Sequence, residues 1–236
     1  MSRLAVLLLT ALLSATGAGA QSRDDLATAA RAFDESALRN GDDNAKPMPV
    51  RKWTGPIRLG FANASAAPNL VELTRAAVKS NAAEAGVDIV DLPDRDTSAN
   101  HVVFFDENGL RGVSGDCVSQ FWTKQFAIVR AELRINPTRT RDVDRCAVHE
   151  SMHAFGFISH PHGAVSVLSY VYKAQRTLTP LDKHLFHTLY DPRMTIGLKP
   201  APASQLACRI LGERLGSNAD DVAAVCTDRK GPVPPF

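Results

Sequence analysis

The residue types best suited to chemistry are concentrated between positions 149 and 162. His149 and His153 flank Glu150 in an H-E-x-x-H pattern. Two histidines four residues apart on a helix lie on one face, so both imidazoles can reach one metal ion while the glutamate between them addresses a water molecule. The pattern is typical of hydrolytic zinc sites, and it predicts Zn2+ as the cofactor.

A catalytic zinc site requires a third protein ligand and one open position. One class of zinc peptidases takes this ligand from a glutamate on a following helix. Here the only glutamate after Glu150 is Glu213, which lies too far along the chain for that arrangement. The nearer candidates are His160 and His162, and Asp182 is a more remote one.

The segment from His149 to His160 resembles the zinc-binding sequence of the metzincin metalloproteases, H-E-x-x-H-x-x-G-x-x-H, with Gly156 at the glycine position. It differs in one respect, because Ser159 stands where the third histidine is expected and His160 follows one residue later. The resemblance implies that His160 is the third ligand, with one residue bulged between Gly156 and the metal. His162 is then the reserve ligand.

Residues 166–170 are similar to the Met-turn that underlies the metal in the same class, although Leu168 stands at the methionine position. Tyr170 falls where astacin-like and serralysin-like enzymes carry a tyrosine. The similarity implies an apolar floor at Leu168 and a Tyr170 hydroxyl that approaches the developing oxyanion. Residues 51–57 and 189–193 are also similar to an uncharacterised secreted family of proteobacteria.

These resemblances imply an exported zinc metallopeptidase that acts on peptide or protein substrates. In this mechanism Glu150 is the general base that takes a proton from a zinc-bound water as the water attacks the scissile carbonyl. One alternative is a non-catalytic exported domain for zinc binding or envelope assembly, in which His162 closes a structural site. A second alternative is an envelope protein that binds no metal.

Composition restricts the function classes further. The 236 residues are 44% hydrophobic and 22% charged, which is typical of a globular protein. The chain has 27 basic and 25 acidic residues, and no basic run is dense enough for a nucleic-acid surface. We therefore expect no nucleic-acid partner, and composition does not predict an oligomeric state.

The first 20 residues have the pattern of a secretory signal peptide, with an apolar run and small residues before a cleavage site after Ala20. The pattern predicts a secreted or periplasmic protein without a membrane anchor after cleavage. The four cysteines allow three pairings, and we favour Cys117 with Cys146 and Cys208 with Cys226, because each pair closes a local loop.

Hydrophobic periodicity predicts the elements that position these residues. Predicted strands cover 57–61, 87–90, 101–105 and 126–135, and predicted helices cover 24–38, 69–85, 142–156, 180–190 and 203–227. The fold class is predicted as α+β: a metzincin-like domain with a twisted, mostly parallel sheet, an active-site helix and a smaller C-terminal helical subdomain. The predicted division is a signal peptide at 1–20, a helix and linker at 21–50, the peptidase domain at 51–200 and a cysteine-containing extension at 201–236.

Overall fold

A computed structural model describes residues 23–41, 46–106, 116–138 and 142–227. The predicted signal peptide at 1–20 lies outside the described residues. Eight strands and six helices are present in the described part of the chain. The strands are β1 (Arg39–Asn40), β2 (Lys46–Pro47), β3 (Lys52–Trp53), β4 (Ile57–Phe61), β5 (Ile89–Asp91), β6 (His101–Phe105), β7 (Cys117–Lys124) and β8 (Ala127–Ile135). The helices are α1 (residues 23–37), α2 (Pro68–Ala85), α3 (Val143–Ala154), α4 (Pro180–Leu189), α5 (Pro200–Leu215) and α6 (Ala219–Thr227).

Six strands form the main sheet in the order β3-β8-β6-β4-β5, and β7 pairs with β8. All pairs are parallel except β7 with β8. Every second residue of the central strands faces a buried layer, as the period of two requires. These buried residues are Ile57, Leu59, Phe61, His101, Val103, Phe105, Ala131, Leu133 and Ile135. The mixed architecture with a mostly parallel sheet agrees with the predicted α+β class.

Two helices carry the parts that position the site. The helix α2 ends at Gly86, whose left-handed backbone (φ +63°) suits a residue without a side chain. It packs against α3, and the Asn81 amide donates a buried hydrogen bond of 2.6 Å to the Ser151 hydroxyl. This contact fixes α3 on its buried side and leaves the opposite side for the histidines.

The strand β7 and its hairpin with β8 are absent from the sequence-based prediction. The two residues of the turn, Gln125 and Phe126, both have positive φ (49° and 69°), as a type I′ turn requires. Asn-Gly is the usual sequence signal for that turn. The Gln-Phe pair at this turn therefore does not predict a hairpin. The Phe126 ring packs where Gly197 leaves room for it.

The C-terminal region contains two helices where the sequence predicts one continuous helical segment over 203–227. Gly216 ends α5 with a left-handed backbone (φ +68°), and α6 packs back against α5. Both favoured disulfides, Cys117–Cys146 and Cys208–Cys226, are present. Within the described ranges, no helix has the length and apolarity needed to span a bilayer.

Candidate metal centre

Three histidine side chains converge on one point beside α3. His149 and His153 lie on successive turns of α3, and His160 comes from the loop that follows it. Each of the three Nε2 atoms lies 3.2 Å from the other two. Tetrahedral zinc with bonds of about 2.0–2.1 Å sets its nitrogen ligands roughly 3.3–3.4 Å apart. The observed triangle therefore fits a tetrahedral metal ion.

The opposite ring nitrogens of two of these histidines contact backbone carbonyl groups. The Nδ1 of His149 lies 2.9 Å from the Val167 carbonyl oxygen, and that of His153 contacts the Phe157 carbonyl oxygen. Donation from Nδ1–H to a carbonyl leaves Nε2 as the free lone pair, which is the tautomer that binds a metal. Burial, together with the neighbouring His153, holds the pKa of His149 well below its usual range, so this ring is neutral.

Gly156 makes the turn that brings His160 back to α3. Its φ of +107° is strained for any other residue, and the Arg51 carbonyl oxygen lies 2.3 Å from the position that a Cβ would occupy. The last turn of α3 is held by Trp53, whose indole N–H donates 2.9 Å to the Ala154 carbonyl. After the turn, Ser159 N–H donates 3.1 Å to a carbonyl of α1. The loop that carries His160 is thus anchored at both ends.

The structure does not bring the other two candidate ligands into this group. His162 is exposed, and its backbone N–H donates to the Glu35 carboxylate at 2.7 Å. Asp182 is buried at the start of α4, where it forms a capping box with Thr179. Its carboxylate also accepts from the Ser166 hydroxyl at 2.5 Å and from Val167 N–H at 3.1 Å. Asp182 therefore fixes the turn beneath the site, a role that the T-x-x-D spacing at 179–182 signals only in part.

Glu150 lies directly beside the three histidines. One carboxylate oxygen is 4.0 Å from the Nε2 of His149, and the side chain is only 12% exposed. Burial raises the pKa of Glu150, while the nearby His153, a hydrogen bond from Ser119 N–H and the charge of Arg145 oppose that rise. A mostly buried carboxylate held next to a metal site is suited to accept and return a proton.

Tyr170 lies against the histidine group, whereas Leu168 is buried in the core. The Tyr170 ring stacks on His160 with centroids 3.9 Å apart and is 53% exposed, so one face contacts the site and the other faces the solvent. Leu168 is fully buried in the core. The turn at 166–170 thus provides apolar packing and one polar side chain at the site.

Arg145 is a residue that sequence reasoning did not find. Its guanidinium donates to the Val167 carbonyl at 3.3 Å and to the Ser169 carbonyl at 3.0 Å. It lies one helical turn before His149, and that spacing is the only sequence signal for its position. Burial lowers the pKa of Arg145, but the group remains cationic. Arg145 binds carbonyl groups of the turn at 166–169, and Asp182 binds donor groups of the same turn. The turn orients His149 through the Val167 carbonyl.

The histidines open into a cleft of about 440 Å³. The cleft is lined by Asn40, Arg51, Cys117, Val118, Ser119, Gln120, Phe121, Glu150, His153, Ile158, His160 and Tyr170. One wall is therefore the strand β7, and the Cys117–Cys146 disulfide joins that strand to α3. A second hollow, lined partly by Gly60 and Arg95, lies elsewhere on the sheet and includes none of the three histidines.

Comparison with known proteins gives a family without an assigned function. A family model described as "Protein of unknown function (DUF2927)" matches residues 27–207. No curated protein matches the chain.

Proposed function

Because the chain belongs to the DUF2927 family, whose function is unknown, we propose its activity from its own geometry: a zinc-dependent metallopeptidase of metzincin type. The observation that carries the proposal is the triangle of His149, His153 and His160, with ring nitrogens 3.2 Å apart and Glu150 alongside. Among the described residues, the group contains three potential ligands and no fourth. A three-ligand zinc site with one open position is the catalytic type.

A zinc ion in this site would supply a Lewis acid that polarises a peptide carbonyl and makes water a better nucleophile. Glu150 then performs the proton transfers. Its carboxylate takes a proton from the attacking water and delivers it to the nitrogen of the departing amine, so that the glutamate ends the reaction ionised. Ser119 N–H holds this carboxylate in place.

Tyr170 is the side chain that we expect to assist at the scissile carbonyl. Its ring lies against His160, and it lines the cleft. A phenol O–H donated to the carbonyl oxygen as negative charge develops would stabilise the transition state more than the substrate. Stacking on His160 limits the rotation of the ring and reduces the entropy lost when this hydrogen bond forms.

The substrate is proposed to bind as an extended peptide along β7. In an antiparallel pair, alternate residues turn their N–H and C=O groups away from the partner strand. Ser119 N–H points to Glu150, which indicates that the outer edge of β7 faces the cleft. An exposed strand edge beside a catalytic centre can add a peptide strand through main-chain hydrogen bonds.

Three further features support a metzincin-type site over other zinc sites. These are the glycine turn after α3, a third histidine beyond that turn in the same group, and the turn at 166–170 whose Val167 carbonyl contacts Nδ1 of His149. The two disulfides are typical of proteins that fold in an oxidising compartment, which supports a secreted or periplasmic location.

The test begins with the zinc content of the purified protein and of the His160→Ala and His162→Ala variants. We expect one tightly bound zinc that is lost in His160→Ala and retained in His162→Ala. Peptide hydrolysis is then measured for the wild type and for Glu150→Gln, which keeps the size of the side chain but cannot accept the proton. We expect Glu150→Gln to retain zinc and to lose at least about 100-fold in turnover.

The same measurements decide between the proposal and its alternatives. Zinc that requires both His160 and His162 would indicate a closed structural site. Equal hydrolysis by the wild type and Glu150→Gln would contradict the catalytic role of Glu150. A protein that binds no zinc would contradict the metallopeptidase proposal altogether.

A further inference from the structure

Arg51 is held at a fixed point beside the metal centre by its neighbours in the chain. Val50 N–H donates 3.0 Å to the Leu198 carbonyl, and Gly197 N–H donates 2.9 Å to the Val50 carbonyl. The two residues that follow Arg51 form β3 and pair with β8. Its own carbonyl packs against the turn at Gly156. The side chain of Arg51 therefore projects from backbone that is fixed on both sides and touches the turn between two metal-binding histidines.

The guanidinium of Arg51 is poorly paired for its degree of burial. The residue is partly buried, and burial lowers its pKa without a compensating carboxylate among the described residues. Its Nε is buried and has no hydrogen-bond partner among the described residues. Its one hydrogen bond within that part of the chain is to the sulfur of Met48 at 3.8 Å, and a thioether is a weak acceptor. Placing a cation in this environment costs free energy that no group among the described residues offsets.

The cleft around Arg51 lacks other strong cations. No other lysine or arginine of the described residues lines it, and its one acidic residue is Glu150 beside the histidines. The guanidinium has a planar fork of donors that matches a carboxylate better than any neutral group. An arginine that is fixed, partly desolvated and without a carboxylate partner among the described residues is therefore suited to receive an anionic group of a ligand in this cleft.

We propose that Arg51 binds a carboxylate of the peptide substrate, so that the site prefers acidic peptides. The inference rests on the proposed function and names its substrate class. The carboxylate comes from an aspartate or glutamate side chain or from the C-terminus of the substrate, and the chemistry of recognition is the same for both. A carboxylate in this position offsets the unpaired charge of Arg51, which a neutral substrate leaves unpaired.

The experiment compares matched peptides that differ only in glutamate or glutamine at one position near the scissile bond, using the zinc-loaded full chain. A peptide mixture analysed by mass spectrometry first identifies the cleaved bonds. For the wild type we expect kcat/KM to be about 10- to 100-fold higher with glutamate, as for a hydrogen bond to a charged partner. In Arg51→Gln the ratio should fall to about 1, and in Arg51→Lys it should be intermediate because lysine lacks the fork.

Two controls separate this effect from misfolding and from general charge. Arg209→Gln removes one positive charge from the exposed surface of α5, outside the cleft, and should keep the wild-type ratio. Zinc content and the melting temperature report whether Arg51→Gln is folded. If that variant does not fold, Arg51→Lys carries the test. Peptides with a free or an amidated C-terminus distinguish a terminal carboxylate from a side-chain one.

The two proposals fail in different ways. Cleavage of the glutamate and glutamine peptides at equal rates by the wild type would overturn the role of Arg51 and leave the peptidase proposal intact. If the zinc-loaded protein cleaves no peptide, the proposed function fails, and fluorescence anisotropy of the same labelled peptides then decides the inference. The inference is supported if the wild type binds the glutamate peptide more tightly than the glutamine peptide and Arg51→Gln does not. Equal binding of the two peptides by the wild type overturns it.

Discussion

At the scale of single residues, one carbonyl group has an unusual position. The Val167 carbonyl lies within hydrogen-bond distance of both His149 Nδ1 and the Arg145 guanidinium. The arginine draws electron density from the same oxygen that orients the imidazole. Such outer partners set the ring orientation and basicity of metal-binding histidines. The orientation and basicity of the His149 ring thus depend on Arg145, which is not one of the three histidines.

Another single residue, His101, is a buried histidine outside the metal centre. It is fully buried at the start of β6, and neither ring nitrogen has a hydrogen-bond partner among the described residues. Burial lowers its pKa to about 4, against about 6.5 for an exposed histidine. Between these two pH values the unfolded chain binds a proton that the folded chain does not. The free energy of unfolding must therefore decrease as the pH falls from about 6.5 to about 4.

We predict that His101→Leu flattens this pH dependence. Because the pKa in the folded protein is about 4, His101 should account for a loss of about 3 kcal/mol between pH 7 and pH 4. Urea unfolding at both pH values measures the difference. The control is Val129→Ala, which changes an exposed side chain without an ionisable group, and its pH dependence should match that of the wild type. An equal loss of stability in His101→Leu and the wild type would contradict the prediction.

At the scale of elements, β7 and α3 are joined covalently beside the cleft. Cys117 begins β7 and Cys146 lies on α3, three residues before the first histidine. Ser119, two residues after Cys117, donates its N–H to Glu150. The disulfide therefore maintains the distance between the wall of the cleft and Glu150, the proposed general base. The Cys208–Cys226 disulfide joins α5 to α6 and includes no residue of the cleft.

The two disulfides are expected to have different effects on catalysis. Their loops span 29 and 18 residues, and loops of such lengths imply a stabilisation of about 3–4 kcal/mol each. We predict that Cys117→Ser/Cys146→Ser lowers both stability and kcat/KM, because the wall strand can move away from Glu150. Cys208→Ser/Cys226→Ser should lower stability alone. Peptide hydrolysis by zinc-saturated variants, measured well below their melting temperatures, tests this, and equal kcat/KM values for the two variants would refute it.

Elements with strong periodicity or clear end signals were predictable from the sequence. The predicted strands 57–61 and 101–105 match β4 and β6, and the predicted helix 180–190 matches α4 within one residue. The sequence-based prediction contains no strand at the position of β7. Its exposed and partly buried residues do not alternate cleanly, and the consecutive residues 117–121 line the cleft, so the strand carries no pattern of period two.

The residues of the candidate site also differ in how far the sequence predicts them. Spacing alone identifies His149, Glu150 and His153 as neighbours on one helix face. The contacts of Arg145 and Asp182 with the turn at 166–169 depend on how α3, α4 and that turn approach each other, which no local pattern encodes. The resemblance of the sequence favours His160 over His162, and the turn at Gly156 brings His160 into the histidine group.

At the scale of the whole molecule, the candidate metal centre lies on an extensive apolar core. The residues around the histidines are fully buried apolar side chains, among them Met152, Phe155 and Phe157. The first helix belongs to the same core, since Leu26 and Phe33 are also fully buried. A site on such a core differs from small zinc domains that unfold without metal.

We therefore predict that chelation removes activity but leaves the chain folded. Zinc at 100 times its dissociation constant adds about 2.7 kcal/mol of stability by mass action, which corresponds to a melting temperature higher by roughly 5–10 °C. Differential scanning calorimetry and circular dichroism with and without chelator measure both quantities. His160→Ala should show no zinc-dependent shift. Complete loss of helical signal on chelation would instead indicate a structural metal.

The hydrogen bond between Glu35 and the backbone of His162 connects positions 127 residues apart. During synthesis Glu35 leaves the ribosome long before His162 does. The first helix therefore cannot form this contact until most of the chain has been made. Contacts of such long range are slow to form, because the intervening chain has to be ordered or looped first. We therefore expect the loop that carries His160 to become ordered late in folding, and a metal ion that requires His160 to bind only after that step.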